Sequence, residues 1–495
     1  MAAFSFCWGC FTKLRPAPRL LQPSSLVPRI AAAPFHTTAP ALALPPKKKN
    51  PSRETGPKFR ESRSARINKK QKRDKPKPPA VGERRALRER IVLSNTNALE
   101  VPGMRDLNAA NVGDMALCGH VVGLPMDLLD RLRGARAFKT TQSWSLFRRP
   151  GTLVRKETVE LGRLMNRIDR DSSTYRRVIT GAKGVGKSIF LTQAMTMALL
   201  KEWVVVTIPE AQDLTIGHTT YSPSTTEPIQ YIQKDAVAGL LKRIVTANAP
   251  VLSRLHISQN HPNLKAPIRP DMSLQQLAQL GIDDTAHAWS IFQALWSELT
   301  AKEPTANGEK QKPFAPRPPM LVTVDGLAHW MKDSGYRNAD YEIIHAHDLA
   351  LVSHFLSLLS SNLPNGGTLL YSTSTSNTPH IYSFEVLLDQ LKARTAQAKV
   401  PDANPYKNPD HRVLDLFDQA EELRTLNLAG LDKDASRKFL EHFALSGIMR
   451  ERVDDEAVSE KWTLSGRGII GELEKLATRV RVLPSTPAPS ATATA

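Results

Sequence analysis

Five short apolar runs predict the strands of a parallel sheet. They lie at 175–180, 203–208, 319–325, 367–373 and 423–428. Apolar residues recur with helical spacing at 189–200, 236–245 and 289–299, and after the last run at 432–445 and 469–480. Strands that alternate with helices indicate an α/β fold with helices on both faces of the sheet.

A glycine-rich loop joins the first predicted strand to the first predicted helix. It consists of Gly181, Ala182, Lys183, Gly184, Val185, Gly186, Lys187 and Ser188. The pattern G-x-x-x-x-G-K-[ST] between a strand and a helix predicts a phosphate-binding loop, or P-loop. A chance glycine-rich turn is the alternative, and the flanking strand and helix argue against it.

Each residue type in this loop suits a bound nucleotide. Glycines let the backbone present N–H groups to phosphate oxygens, and the helix that starts near Lys187 adds its positive end. Lys187 supplies a cation for the β- and γ-phosphates, and the Ser188 hydroxyl is a ligand for Mg²⁺. We therefore expect residues 181–189, up to Ile189, to contact the nucleotide.

A second magnesium ligand, a carboxylate, is predicted at Asp325, which ends the third apolar run. We expect it to hold Mg²⁺ through water, the alternative being that it caps a turn with Gly326. Fast P-loop ATPases of the AAA+ kind usually carry a glutamate directly after this aspartate, whereas Gly326 follows it here. We expect nucleotide binding with at most slow hydrolysis, and whether the chain is an enzyme stays open.

Three weaker candidates surround these two motifs. Thr373 or Asn377 could sense a γ-phosphate, but clusters of Ser, Thr and Asn are equally ordinary in loops. Arg467 could approach phosphates, although a solvated loop residue is the simpler interpretation. The His345–Asp348 segment is interpreted as the start of a helix and not as a metal site.

Positive charge is concentrated at the N-terminus. Residues 1–90 hold 22 Lys and Arg against 5 Asp and Glu, whereas the other 405 residues hold 45 against 43. The first acid is Glu54, and an acid-free basic stretch predicts a mitochondrial transit peptide over 1–46; a basic cytosolic or nuclear tail is the alternative. The basic composition of residues 47–92 predicts a disordered arm that contacts RNA phosphates. The alternative is that the arm is only a solvated linker.

Other features exclude whole classes of protein. Only three cysteines occur, which excludes a disulfide scaffold, and no apolar run reaches the ~20 residues of a membrane span. The segments 302–318 and 394–412 are polar or proline-rich and are predicted to be surface insertions. The last residues, 484–495, are rich in Pro, Ser, Ala and Thr and are predicted to be disordered.

Several segments together resemble the death-associated protein 3 family. They are Gly123–Pro125, Ala137–Lys139, Trp144–Pro150, Val154–Thr158, the glycine-rich loop, Val324–Gly326 and Tyr371–Ser374. The resemblance covers residues 115–480 and implies an AAA+/STAND-like P-loop NTPase core. It further implies a GTP-binding component of the mitochondrial small ribosomal subunit in the matrix.

The resemblance also implies ligands and partners. These are GTP or GDP with Mg²⁺, the small-subunit rRNA, neighbouring small-subunit proteins and intersubunit bridge contacts. No N-K-x-D guanine motif is visible, so the base preference depends on the resemblance alone.

Six regions are therefore predicted: 1–46, transit peptide; 47–92, basic arm; 93–170, family-specific segment; 171–430, P-loop domain; 431–483, helical lid; 484–495, tail. Two functions are considered, and the first is favoured because no glutamate follows Asp325 and because the positive charge is concentrated in the arm. The first is a ribosomal protein that holds its nucleotide mainly for stability. The second is a mitochondrial ATPase or GTPase with a mechanical or regulatory role.

Overall fold

The computed structural model describes most of the chain from residue 81 onwards. It covers residues 81–479 except 226, 263, 265–267, 270, 303–314, 375–379, 419 and 421. The predicted transit peptide, residues 47–80 of the arm, the tail and Asn377 lie outside the described residues, as do residues 303–314 of the predicted insertion. Among those that are described, no helix is both long and apolar enough to cross a membrane.

The strands are β1 (Val121–Gly123), β2 (Gly151–Leu153), β3 (Thr174–Thr180), β4 (Val204–Ile208), β5 (Ser222–Pro223), β6 (Tyr231–Ile232), β7 (Met320–Asp325), β8 (Asp333–Arg337), β9 (Ile343–His345), β10 (Gly367–Ser372) and β11 (Arg424–Asn427). The α-helices are α1 (Val81–Glu89), α2 (Leu129–Gly134), α3 (Lys156–Asp171), α4 (Lys187–Leu200), α5 (Lys234–Leu252), α6 (Leu274–Asp283), α7 (Ala288–Leu299), α8 (Ala350–Ser357), α9 (Tyr382–Thr395), α10 (His411–Asp418), α11 (Lys433–Leu445), α12 (Asp455–Leu464) and α13 (Ile470–Ala477).

A five-stranded parallel sheet forms the centre of the fold, with strand order β11-β3-β10-β7-β4. Its strands are the five that the apolar runs predict, so that part of the expected α/β fold is confirmed. Ser372 at the end of β10 is level with Ile179 on β3 and with Asp325 on β7. The carboxyl ends of these strands therefore meet at one edge of the sheet.

The two faces of the sheet belong to two hydrophobic cores. Successive side chains of a strand point to opposite faces, so Val178 and Ile179 of β3 enter different cores. One core contains α5 to α10, and the other contains α2, α3, α4 and residues from 93 to 154. The prediction of helices on both faces is confirmed.

The C-terminal helices form a smaller core of their own. Leu440 and Phe443 of α11 pack with Val458 of α12 and Ala477 of α13. The helices predicted at 432–445 and 469–480 are confirmed as α11 and α13, whereas α12 lies between them and was not predicted. The domain boundaries drawn from the sequence, including that of a lid, stay predictions.

Helix α1 corrects the predicted arm. Residues 47–92 were expected to be disordered, but Val81–Glu89 is helical. Arg88 on α1 is buried and pairs with Glu210 at 2.5 Å, and Arg136 donates to Glu89 at 2.6 Å. Ion pairs with residues far along the chain hold this segment, and a basic composition gives no sign of them. The predicted surface insertion at 394–412 is different, because α9 and α10 overlap only its two ends and the residues between these helices are mostly exposed, as expected.

Asn248 protects the edge strand β4. Its side-chain oxygen accepts a hydrogen bond from the Val205 N–H, and its side-chain nitrogen donates to the Val205 carbonyl, both at 2.8 Å. Asn248 is fully buried within α5, at a position where the backbone leaves the helical conformation. The amide thus pairs with β4 as a neighbouring strand would, and it satisfies backbone groups that burial would otherwise leave without partners.

We predict that Asn248→Ala lowers the free energy of unfolding by about 3 kcal/mol, because two buried backbone groups of Val205 lose their partner. Chemical denaturation of the full chain measures this loss. Asn97→Ala removes an exposed amide and is the matched control, expected to change stability by less than about 0.5 kcal/mol. Equal stability of the two variants would contradict the role given to Asn248.

Candidate functional site

The glycine-rich loop lies at the carboxyl edge of the sheet. Strand β3 ends at Thr180 and α4 begins at Lys187, so the loop spans the gap between them. Gly181, Gly184 and Gly186 have φ angles of 138°, 83° and 97°, which favour glycine. A Cβ atom at Gly181 would lie 2.4 Å from the Leu428 carbonyl oxygen, so only glycine fits there. The sequence places glycine where this backbone path requires it.

Lys187 lies with its ammonium group inside the loop. Its Nζ donates hydrogen bonds to the carbonyl oxygens of Gly181 at 2.8 Å and Ala182 at 2.9 Å. The side chain is buried, and burial lowers the pKa of Lys187 while the Asp325 carboxylate opposes that change. A cation is therefore held within the curve of the loop, next to the first N–H groups of α4, which have no partner within the helix.

Asp325 is buried at the end of β7 and receives hydrogen bonds from two hydroxyl groups. Ser188 donates to its Oδ2 at 2.7 Å, and Ser372 donates to its Oδ1 at 2.6 Å. Burial alone would raise the pKa of Asp325, but the Lys139 ammonium and the two hydroxyls outweigh it, so the pKa lies below its ordinary value. The carboxylate is charged and within hydrogen-bond distance of the loop serine.

The reach of Ser188 explains how the two motifs meet. Strand β10 lies between β3 and β7, which puts the loop strand and the Asp325 strand about 10 Å apart. Ser188 is the second residue of α4, and its side chain spans this gap. The structure thus brings together the predicted ligands Ser188 and Asp325, which are separated by 137 residues in the sequence.

Lys139 is a site residue that the sequence analysis missed. Its Nζ forms an ion pair with Oδ2 of Asp325, the same oxygen that accepts from Ser188. The resemblance included Ala137–Lys139 but gave Lys139 no role. A separation of 186 residues leaves no spacing signal from which this pairing could be inferred.

Two further segments hold the loop in place. Arg155 donates to the Val185 carbonyl at 2.6 Å and to the Ala429 carbonyl at 3.0 Å. From the other end of the chain, the N–H of Gly471 in α13 donates to the Gly184 carbonyl at 2.9 Å. The loop is therefore fixed from both the N-terminal and the C-terminal side, through backbone carbonyls that no sequence motif marks.

An acid does lie near this edge, although none follows Asp325 directly. Glu210 comes two residues after β4, and its carboxylate pairs with buried Arg88 at 2.5 Å. Burial lowers the pKa of Arg88. The Glu210 carboxylate, and to a smaller extent the Asp325 carboxylate, oppose this change, so both interact electrostatically with the guanidinium. Glu210 is far from Asp325 in the sequence, so the motif around Asp325 does not include it.

The weaker candidates have ordinary surroundings. Thr373 is buried and donates to the Ile179 carbonyl at 3.2 Å, a contact between neighbouring strands. Arg467 is exposed in the turn between α12 and α13. His345 accepts a hydrogen bond from the His347 N–H at 3.2 Å and caps a short 3₁₀ turn ahead of α8, as expected for the start of a helix.

The fold and the site together define an α/β protein whose central parallel sheet carries a glycine-rich loop and a buried carboxylate at one edge. Its family follows from comparison with known proteins. The model of the family described as mitochondrial ribosomal death-associated protein 3 matches residues 152–476. The chain belongs to this family, and the resemblance noted in the sequence is confirmed.

Relatives in fungi and mammals carry the name small ribosomal subunit protein mS29. The Neurospora crassa protein is 43% identical over 403 residues, which cover 81% of this chain and 83% of the relative. The Schizosaccharomyces pombe protein is 24% identical over 344 residues, covering 68% and 67% of the two chains. The Mus musculus protein is 23% identical over 223 residues, covering 45% and 54%.

Proposed function

We propose that this chain is a protein of the mitochondrial small ribosomal subunit, in which a bound guanine nucleotide with Mg²⁺ stabilises the fold. Nucleotide binding is supported by one observation: Lys187, Ser188 and Asp325 lie together at one edge of the sheet. The ribosomal part is supported by the family and by the name that the relatives carry. The mitochondrial location follows from the same relatives together with the predicted transit peptide.

The residues at this edge suit a magnesium-bound diphosphate or triphosphate. Bound nucleotide would supply negative charge for Lys187 and oxygen atoms for the N–H groups of the loop. Ser188 and Asp325 offer a hydroxyl and a carboxylate, the oxygen ligands that Mg²⁺ prefers, with Asp325 acting through water. The positive φ angles of Gly184 and Gly186 allow the backbone to curl around an anion.

A stabilising role suits the way in which the loop is held. Arg155 precedes β3 in the chain, whereas Gly471 lies in α13. Both residues contact the loop backbone. Nucleotide that orders residues 181–188 therefore also favours the packing of these distant segments. A ligand that binds only the folded state adds RT ln(1 + [L]/Kd) to its stability, about 2.7 kcal/mol at a hundred times Kd.

The predicted RNA contact of the basic arm belongs to the same proposal. Residues 47–80 hold 14 Lys and Arg against 3 Asp and Glu. A basic segment that neutralises RNA phosphates releases counterions, so its binding weakens as salt increases. We propose the small-subunit rRNA and neighbouring small-subunit proteins as partners, with intersubunit bridge contacts as a further role.

We predict that Lys187→Ala abolishes nucleotide retention, because the cation inside the loop is lost. Mass analysis of nucleotide extracted from the purified full chain measures retention and identifies the base and the number of phosphates. Lys201→Ala, at the far end of α4, is the matched control and should retain nucleotide. Equal retention by the two variants would place the nucleotide elsewhere. An adenine nucleotide in the wild type would overturn the guanine assignment.

We predict slow GTP hydrolysis, well below the ~10 per second that is typical of enzymes. The physical reason is that Gly326 follows Asp325 and that Glu210 is paired with Arg88. Phosphate release under multiple-turnover conditions measures the rate, and Lys187→Ala reports the background from contaminating enzymes. Rapid turnover above this background would favour the alternative of a mechanical or regulatory NTPase.

We predict that deletion of residues 47–80 weakens association with mitochondrial small subunits and lowers its dependence on salt. This deletion keeps α1, whose Arg88 is part of the folded structure. Co-sedimentation over a range of salt concentrations is the measurement. A shuffled arm with the same charges is the control and should behave like the wild type if charge alone matters. If the association depends on salt in the same way after the deletion, the arm is only a linker.

A further inference from the structure

We propose that Lys139 is a built-in cation of the nucleotide site. Its ammonium group compensates the negative charge of Asp325, as Mg²⁺ would, and lets the chain hold its nucleotide without the metal. This inference rests on the proposed nucleotide binding and adds a residue that neither the P-loop pattern nor the Asp325 prediction includes. It assigns a specific role to the ion pair between Lys139 and Asp325.

The position of the Lys139 ammonium carries the proposal. Its Nζ and the Ser188 hydroxyl both contact Oδ2 of Asp325, while Ser372 occupies Oδ1 at 2.6 Å. Ser188 and Asp325 are the two groups between which Mg²⁺ is expected. The side chain of Lys139 therefore brings a positive charge to the carboxylate oxygen nearest the predicted metal position.

Lys139 is held in this place by the helix that carries the loop. The Thr192 hydroxyl on α4 donates to the Ala137 carbonyl at 3.0 Å. The Lys139 N–H donates to the side-chain oxygen of Gln142 at 2.7 Å, and the Trp144 indole N–H donates to the same oxygen at 2.6 Å. The segment 137–144 is thus fixed against α4, with Lys139 within reach of Asp325.

The charges around Asp325 explain the expected effect on metal binding. The carboxylate is buried, 8% exposed, and its negative charge is already compensated by Lys139. A divalent cation beside Asp325 would gain less from that carboxylate and would be repelled by the ammonium. Lys187 supplies a second cation within the loop. Because Lys139 compensates Asp325, that carboxylate repels phosphates less when Mg²⁺ is absent, and Lys187 attracts them from within the loop.

The experiment compares the Kd of a fluorescent GDP analogue with Mg²⁺ and with EDTA, on the full chain. In the wild type, we expect removal of Mg²⁺ to raise Kd by less than about tenfold. In Lys139→Met, we expect the same removal to raise Kd by about a further tenfold or more, because the uncompensated Asp325 carboxylate then repels the phosphates. Lys139→Arg should behave like the wild type, since it keeps the charge.

Lys201→Met is the matched control, because it breaks a lysine–aspartate ion pair with Asp169 at the other end of α4. It should show the wild-type ratio of the two Kd values. If Lys139→Met also shows the wild-type ratio, Lys139 is only a structural ion pair and the proposal is overturned. A wild type that binds only with Mg²⁺ overturns it without any variant. A wild type that binds in neither condition overturns the proposed function as well.

Discussion

A buried carboxylate at the end of a central strand needs positive charge and hydrogen-bond donors from elsewhere in the chain. Asp325 obtains them from Ser188 on α4, Ser372 on β10 and Lys139 in the N-terminal segment. Leaving such a group charged and unpaired in a protein interior costs several kcal/mol, so these segments must meet for the fold to be stable. The same contacts place a hydroxyl, a carboxylate and two ammonium groups around one edge of the sheet.

The loop itself depends on distant segments in a similar way. A backbone path through three glycines with positive φ has little stability of its own, because glycine loses much conformational freedom on folding. Arg155, which precedes the loop in the chain, and Gly471 in α13 hold the carbonyls of Val185 and Gly184. A ligand in the loop would therefore be linked to the folding of the whole chain, which suits a nucleotide kept for stability. The pairing of Glu210 with Arg88 suits the same view, because that carboxylate is occupied by a guanidinium.

Much of the central fold could be predicted because its signals are local. A buried parallel strand is a continuous apolar run, and 203–208, 319–325 and 367–373 show this pattern clearly. The elements that were missed have weaker local signals. Helix α1 lies in a basic segment, and only its pairing with Glu210 and Arg136 shows why it is ordered. Asn248 likewise has no sequence pattern that marks it as a partner of β4.

The sequence by itself determined the five strands of the central sheet, the helix after the loop and the glycine positions of the loop, because these depend on residue type and on spacing within a few residues. Only the tertiary structure decided which side chains surround Asp325. Lys139 and Asp325 are 186 residues apart, and Arg155 and Ala429 are 274 apart. Contacts over such separations depend on the order of the strands in the sheet and on the packing of helices against it, and local periodicity carries no information about either.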